Sequence, residues 1–299
     1  MQAGRSARGR GPGRAVAILA LAVAGCTADP YPAAEPYPSI DELPECNGDE
    51  PSAECLKKLF LPLNDTPWPF DRERVNAAYS PDEFQVLPGW DLTALHVLDG
   101  RVSSDGNVPN CYAPEFTYAP PGEVIERPNC GDMLFLGGHP RSAECEAEGV
   151  SLLECVDEVP FAETFDIGLV KAERREATLE VRDDVKVGEE VFAIGRPSFL
   201  LLDLDSASLQ SLESDYPLVS AGKVLAVNGR GLVISNLAYP GNSGGPIVDR
   251  EGRVVGVLYS RVRDLRAVGT PMDPKLPDYR TLAVAIDAEM KARIEAESE

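Results

Sequence analysis

Pro240-Gly241-Asn242-Ser243-Gly244-Gly245-Pro246 sets one hydroxyl among three glycines and runs straight into apolar Ile247-Val248. Acyl transfer by a serine needs an exposed hydroxyl beside backbone N–H groups free to receive a developing oxyanion. Glycines allow the tight turn that aims such groups inward. A general base must take the hydroxyl proton, and the chain holds only two histidines, His96 and His139. His139 sits in Gly137-Gly138-His139-Pro140, which reads as a loop with an exposed turn residue. An acid is also needed, to fix the tautomer of the imidazole. Asp166, in Phe165-Asp166-Ile167-Gly168-Leu169-Val170, is followed by apolar residues and is thereby carried to the start of a buried strand.

These groups need elements that hold them apart and aim them. From about residue 71 the chain is a series of short apolar runs separated by turn signals, the pattern of a barrel or sandwich. Met133 to Leu136 ends at Gly137-Gly138. Val185 to Val187 leads through Gly188 to Val191–Ile194, stopped by Gly195-Arg196-Pro197. Val224–Val227 and Leu232–Ser235 flank Asn228-Gly229, a dipeptide suited to a tight hairpin. Arg253–Tyr259 and Thr281–Ile286 complete the strands. Only the last segment reads as a helix, with Asp287 as its cap and Met290 and Ile294 on one face.

Gly241-Asn242-Ser243-Gly244-Gly245-Pro246 resembles the nucleophile loop of trypsin-like serine peptidases, in the form found in HtrA-type and glutamyl endopeptidases. Thr93-Ala94-Leu95-His96 resembles the family's histidine segment, which selects His96 over His139. Val97 stands where many secreted members carry a cysteine. Asp166-Ile167-Gly168-Leu169 resembles its aspartate segment, and His96, Asp166, Ser243 follow the triad order of chymotrypsin-like enzymes. The resemblance covers about residues 71 to 299 and is strongest from Phe165 onward. It implies a mostly β fold of two orthogonal six-stranded barrels with a C-terminal helix. It also implies an oxyanion hole from the N–H groups of Gly241 and Ser243. The substrate pocket would be formed near Leu237, Ala238, Leu258 and Tyr259. None of these is charged, so an apolar residue on the acyl side of the cut is expected. In digestive members an Asp stands at the place of Asn242 and pairs with a new N-terminus. An amide cannot, so no such activation is expected. No metal or organic cofactor is implied, and no PDZ-type module is expected after the second barrel.

Charge narrows the partners. The chain of 299 residues carries −21, and its first 25 residues hold four arginines and no acid, so the remainder carries −25. Such a surface repels phosphate backbones, which argues against nucleic acid; the resemblance to trypsin-like peptidases implies a protein or peptide substrate. Residues 1–25 read as a leader, with arginines ahead of an apolar run too short for a permanent membrane span. Leu21-Ala22-Val23-Ala24-Gly25-Cys26 resembles the lipobox of bacterial lipoproteins, implying lipidation at Cys26 and anchorage to the cell envelope. Thr27 after the cysteine suggests the outer membrane. Residues 26–70 read as a Pro-rich acidic tether, and 71–299 as the peptidase domain.

Seven cysteines less Cys26 leave six, an even number suited to an oxidising compartment. Close spacing suggests the pairs Cys46–Cys55, Cys111–Cys130 and Cys145–Cys155. A zinc site is disfavoured, because there is no Cys-x-x-Cys and there are only two histidines. Two other classes stay open: a catalytically inactive trypsin-fold module that grips peptides, and an esterase or lipase. Gly241 to Gly245 satisfies the bare Gly-x-Ser-x-Gly pattern of the latter, but Pro246 and the strand-like run after it do not suit the helix that such an elbow requires.

Overall fold

The computed structural model describes residues 43, 46, 52–81, 83–94, 97, 124–127, 131–135, 167–197, 217–239, 241–262 and 280–298, with backbone alone at 124–127, 131–135, 260–262 and 280. The leader, Cys26, His96, His139, Asp166 and the cysteines at 111, 130, 145 and 155 lie outside the described residues.

Structure begins earlier than the sequence suggests. Ser52 caps helix α1 (Ala53–Leu59), its hydroxyl accepting from the Cys55 N–H at 3.3 Å. Strand β1 (Leu61–Pro62) follows, and then helix α2 (Arg72–Ala78), where the Asp71 carboxylate accepts from the Arg74 N–H at 3.0 Å. The tether expected over 26–70 is therefore packed structure from Ser52 onward. Its prolines do not forbid this, because Pro62 occupies an edge strand, where a missing N–H is tolerated. The residues between the prolines are large and apolar, and Leu63, Trp68 and Phe70 are buried.

Two antiparallel sheets follow. The first contains β2 (Tyr79–Ser80), β3 (Glu83–Leu87), β4 (Trp90–Thr93), β5 (Val124–Arg127), β6 (Gly131–Phe135) and β7 (Gly168–Lys171). Its order is β2-β3-β4-β7-β6-β5, and among the described residues its outer strands do not pair with each other. The second contains β8 (Glu190–Gly195), β9 (Leu218–Asn228), β10 (Gly231–Ile234), β11 (Pro246–Val248), β12 (Val254–Val262) and β13 (Arg280–Ala285). Its order, β9-β10-β13-β12-β11-β8, closes on itself through β8 and β9 to make a six-stranded barrel, and β1 adds to β9. The mostly β class is borne out, with the second barrel closed and the first half present as a six-stranded sheet.

Alternation along β8 shows why the barrel forms. Val191 and Ala193 join Leu232, Ile234 and Ile247 in one cluster. Phe192 and Ile194 belong to another, shared with Leu92 and Leu169 of the first sheet. Every residue of β10 and β11 is buried, so both strands read as unbroken apolar runs. Val185–Val187, expected to extend this region as a strand, are not one. The β9–β10 loop is Gly229-Arg230, one residue beyond the expected centre, because Asn228 pairs with Gly231 and Gly229 holds φ +57°. Helix α3 (Ala288–Ala296) ends the described chain. Asp287 caps it by accepting from the Met290 N–H at 2.7 Å, and Met290 and Ile294 are buried.

Candidate active site

Ser243 sits in the turn between the segment after β10 and strand β11. Gly241 and Gly244 hold φ +91° and +82°, a region closed to most side chains. The turn is braced from three sides. Tyr239 and Asn242 bond twice: the Asn242 N–H donates to the Tyr239 carbonyl, and the Tyr239 N–H donates to the Asn242 side-chain oxygen, each at 2.9 Å. β12 holds the far side, with the Gly244 N–H on the Leu258 carbonyl and the Leu258 N–H on the Gly245 carbonyl, both 2.9 Å. β8 closes beneath. A Cβ on Gly245 would fall on the Ile194 carbonyl, and one on Gly195 would meet the Asn242 amide.

This bracing sorts the amide donors of the loop. The N–H groups of Asn242, Gly244 and Gly245 are bonded to Tyr239, Leu258 and Asn242 carbonyls. Those of Gly241 and Ser243 have no acceptor among the described residues. The Ser243 side chain is half-buried, and its hydroxyl donates to the Tyr259 carbonyl at 3.3 Å.

The histidine and acid candidates lie outside the described residues, but the strands leading to them are neighbours. β4 and β7 run antiparallel with Thr93 opposite Gly168. His96 follows Thr93 by three residues in the chain, and Asp166 precedes Gly168 by two. On the far side of His96, the Val97 N–H donates to the Ala94 carbonyl at 3.1 Å.

The four expected pocket residues differ in setting. Leu237, Ala238 and Leu258 are buried, while Tyr259 is half-buried. Ala238 and Leu258 face the barrel interior cluster. Leu237 lies in a separate cluster with Cys46, Cys55, Phe60 and Tyr239, and its carbonyl accepts from the Ser220 hydroxyl at 2.8 Å. The Cys46–Cys55 pairing is present. The reading from sequence missed this contact because it assigned Phe60 and both cysteines to the tether. The apolar Leu56, Leu59 and Phe60 beside Cys55 were the available signal. Sequence reading also missed the locking role of the buried Asn242 amide.

A cavity of about 390 Å³ lies elsewhere, lined by Glu83 and by 170–175, with no residue from the Ser243 loop. Among the described residues no group of three or more His, Cys, Asp or Glu is arranged to hold a metal ion, and no helix is long and apolar enough to cross a membrane.

Comparison with known proteins adds the following. The chain is 33% identical over 116 residues to "Uncharacterized protein y4bJ" of Sinorhizobium fredii (strain NBRC 101917 / NGR234), which spans 37% of this chain and 17% of that protein. Among solved structures it is similar to a Glu endopeptidase in complex with MPD, at 13% identity and TM-score 0.40, covering 72% of this chain and 84% of that one. It is also similar to the HtrA-type protease AlgW with decapeptide, at 14% identity and TM-score 0.35, covering 71% and 51%. The family model described as "Trypsin-like peptidase domain" matches residues 84–257, which run from β3 into the first part of β12 and take in the whole Ser243 turn. With that match extending over more than half of its length, the chain belongs to the trypsin-like peptidase domain family.

Proposed function

We propose that this protein is an exported serine endopeptidase that cuts peptide bonds through an acyl-enzyme on Ser243. The observation that carries the reading is the sorting of amide donors in the Ser243 turn. Its bracing consumes the N–H groups at 242, 244 and 245, while those of Gly241 and Ser243, beside the hydroxyl, have no acceptor among the described residues. In this reading the two donors receive the developing oxyanion, each worth about 3 kcal/mol of barrier.

His96 is the general base: it takes the Ser243 proton as Oγ attacks the carbonyl and returns it to the leaving amine. Asp166 accepts from the imidazole Nδ1–H and stabilises the imidazolium. The pairing of Thr93 with Gly168 supports this assignment, since the chain reaches both residues from one end of one strand pair. An apolar side chain on the acyl side of the cut suits Leu237, Ala238, Leu258 and Tyr259, none of which is charged.

The test is labelling of residues 27–299 with a fluorophosphonate, beside Ser243→Ala and His96→Ala. Labelling should disappear in both variants, and peptidase turnover should fall about 10⁶-fold in Ser243→Ala. One observation favours a second reading, a peptide-binding relative without catalysis. The Ser243 hydroxyl is donated to the Tyr259 carbonyl, a resting bond that a reactive serine must give up. A folded wild-type protein that binds apolar peptides and never labels would decide for that reading.

Export and anchorage through a lipid on Cys26 complete the proposal, and the Cys46–Cys55 disulfide is in keeping with an oxidising compartment. Cys26→Ser should move the protein from the membrane fraction to the soluble fraction of cells. Retention in the membrane fraction would refute the anchor.

A further inference from the structure

We infer that the disulfide-tied segment from Cys46 to Phe60 is a positioning element for the Ser243 turn, with Phe60 as the side chain that transmits the constraint. The inference rests on the peptidase reading above for its consequence in catalysis, but not for its structural content.

Cys46, Cys55, Leu56 and Phe60 form a cluster with Leu237 and Tyr239, apart from the two larger cores of the molecule. Phe60 is fully buried, and its ring lies tilted against that of Tyr239 with centroids 6.0 Å apart. Tyr239 is bonded twice to Asn242, through its own N–H and its own carbonyl. A displacement of Tyr239 therefore reaches Asn242 directly. The two amides without an acceptor among the described residues, at Gly241 and Ser243, flank Asn242 on either side. Leu237, on the same short run, is covered by the same cluster.

What holds Phe60 in place is local. Helix α1 has seven residues, too few to be stable alone. Its N-terminal side is tied by the Cys46–Cys55 disulfide across nine residues. Its C-terminal side is tied by β1, where Leu61 and Pro62 pair with Val219 and Leu218, and by the Leu63 N–H on the Pro217 carbonyl at 3.0 Å. Opening the disulfide removes one of these two ties while the barrel interior, which contains none of Cys46 to Phe60, keeps its packing. Loss of the tie lowers the local opening energy of this unit more than the global stability.

The experiment compares the wild-type chain with Cys46→Ser/Cys55→Ser, Phe60→Ala and Phe60→Leu, the last retaining bulk so that it folds if the others do not. Amide hydrogen exchange is followed at 237–245, in β13 and in α3, and the rate of fluorophosphonate labelling at Ser243 is measured on the same samples. Exchange at 237–245 should quicken about tenfold in the double serine variant and Phe60→Ala, and less in Phe60→Leu, with β13 and α3 unchanged. The labelling rate should fall about tenfold in parallel, and hydrolysis of an apolar peptide should lose kcat more than it changes KM. Unchanged exchange at 237–245 overturns the inference, as does an equal rise in β13 and α3. Faster exchange confined to 237–245 in a protein whose wild type never labels upholds the positioning element and removes the peptidase reading instead.

Discussion

Gly245 has no room for a side chain. A Cβ there would fall on the Ile194 carbonyl and lie 3.0 Å from the Asn242 carbonyl. Both obstacles are backbone, which cannot swing aside as a flexible side chain does. Gly245→Ala should therefore lower stability by about 2 kcal/mol and slow labelling of Ser243, since the turn must shift from β8 to accept the methyl group. Urea unfolding and probe kinetics on one preparation check both effects, and wild-type behaviour in either would contradict this account. Glycine at this position was legible in the sequence, because a serine loop with glycines on both sides already demands tight backbone. Asn242 was legible only for the ion pair it cannot make. That its amide bonds back to Tyr239 depends on a turn three residues wide, which residue type alone does not specify.

Among elements, the connection between the two sheets shows how the halves are joined. Residues 172–189 are bonded on one side to the first sheet, through the Ala172 N–H on Gly89 and the Leu179 N–H on Gln85. On the other side they meet β12, with Arg182 and Glu180 exchanging backbone bonds with Val254. Buried Gln85 and Asp91 secure the first contact. The Gln85 side chain donates to Asp91 at 3.0 Å and to the Glu173 carbonyl at 2.9 Å, and accepts from the Arg175 N–H at 2.8 Å. Arg175 completes the group by donating to Asp91 and to Glu83. Asp91→Ala leaves the guanidinium without its buried partner and should cost about 3 kcal/mol in denaturant unfolding. A loss below about 0.5 kcal/mol, the scale of an exposed pair, would show that the group is not coupled. Helix α3 was legible because its cap and apolar spacing are local. Helices α1 and α2 were not, since each is seven residues long and α1 lies in a proline-rich stretch.

For the molecule as a whole, one apolar cluster includes residues of both sheets, the segment from Leu63 to Phe70, and helix α3. Trp68 and Phe70 stack with centroids 6.0 Å apart, and each meets Phe192 of β8 in a T-shaped contact, at 5.6 and 5.3 Å. Halves that share a core lose it together, so thermal unfolding should be one cooperative transition with matching calorimetric and van't Hoff enthalpies. Two separated transitions would mean that the shared core contributes little. The net charge of −21 opposes compaction through self-repulsion, so added NaCl should raise the midpoint.

The sequence by itself determined the glycine-flanked Ser243 loop, the mostly β class, the Cys46–Cys55 pair and the closing helix. Each is written in contacts between residues close together in the chain, where residue type and spacing act directly. Only the tertiary structure decided which amides of the Ser243 turn find an acceptor among the described residues, since that of Gly244 is taken up by Leu258 of β12. It alone decided that Leu237 rests on the disulfide-tied segment rather than on the barrel interior. It also made residues 52–70 part of the core: prolines forbid only regular backbone bonding, and burial of Leu63, Trp68 and Phe70 depends on partners more than a hundred residues away.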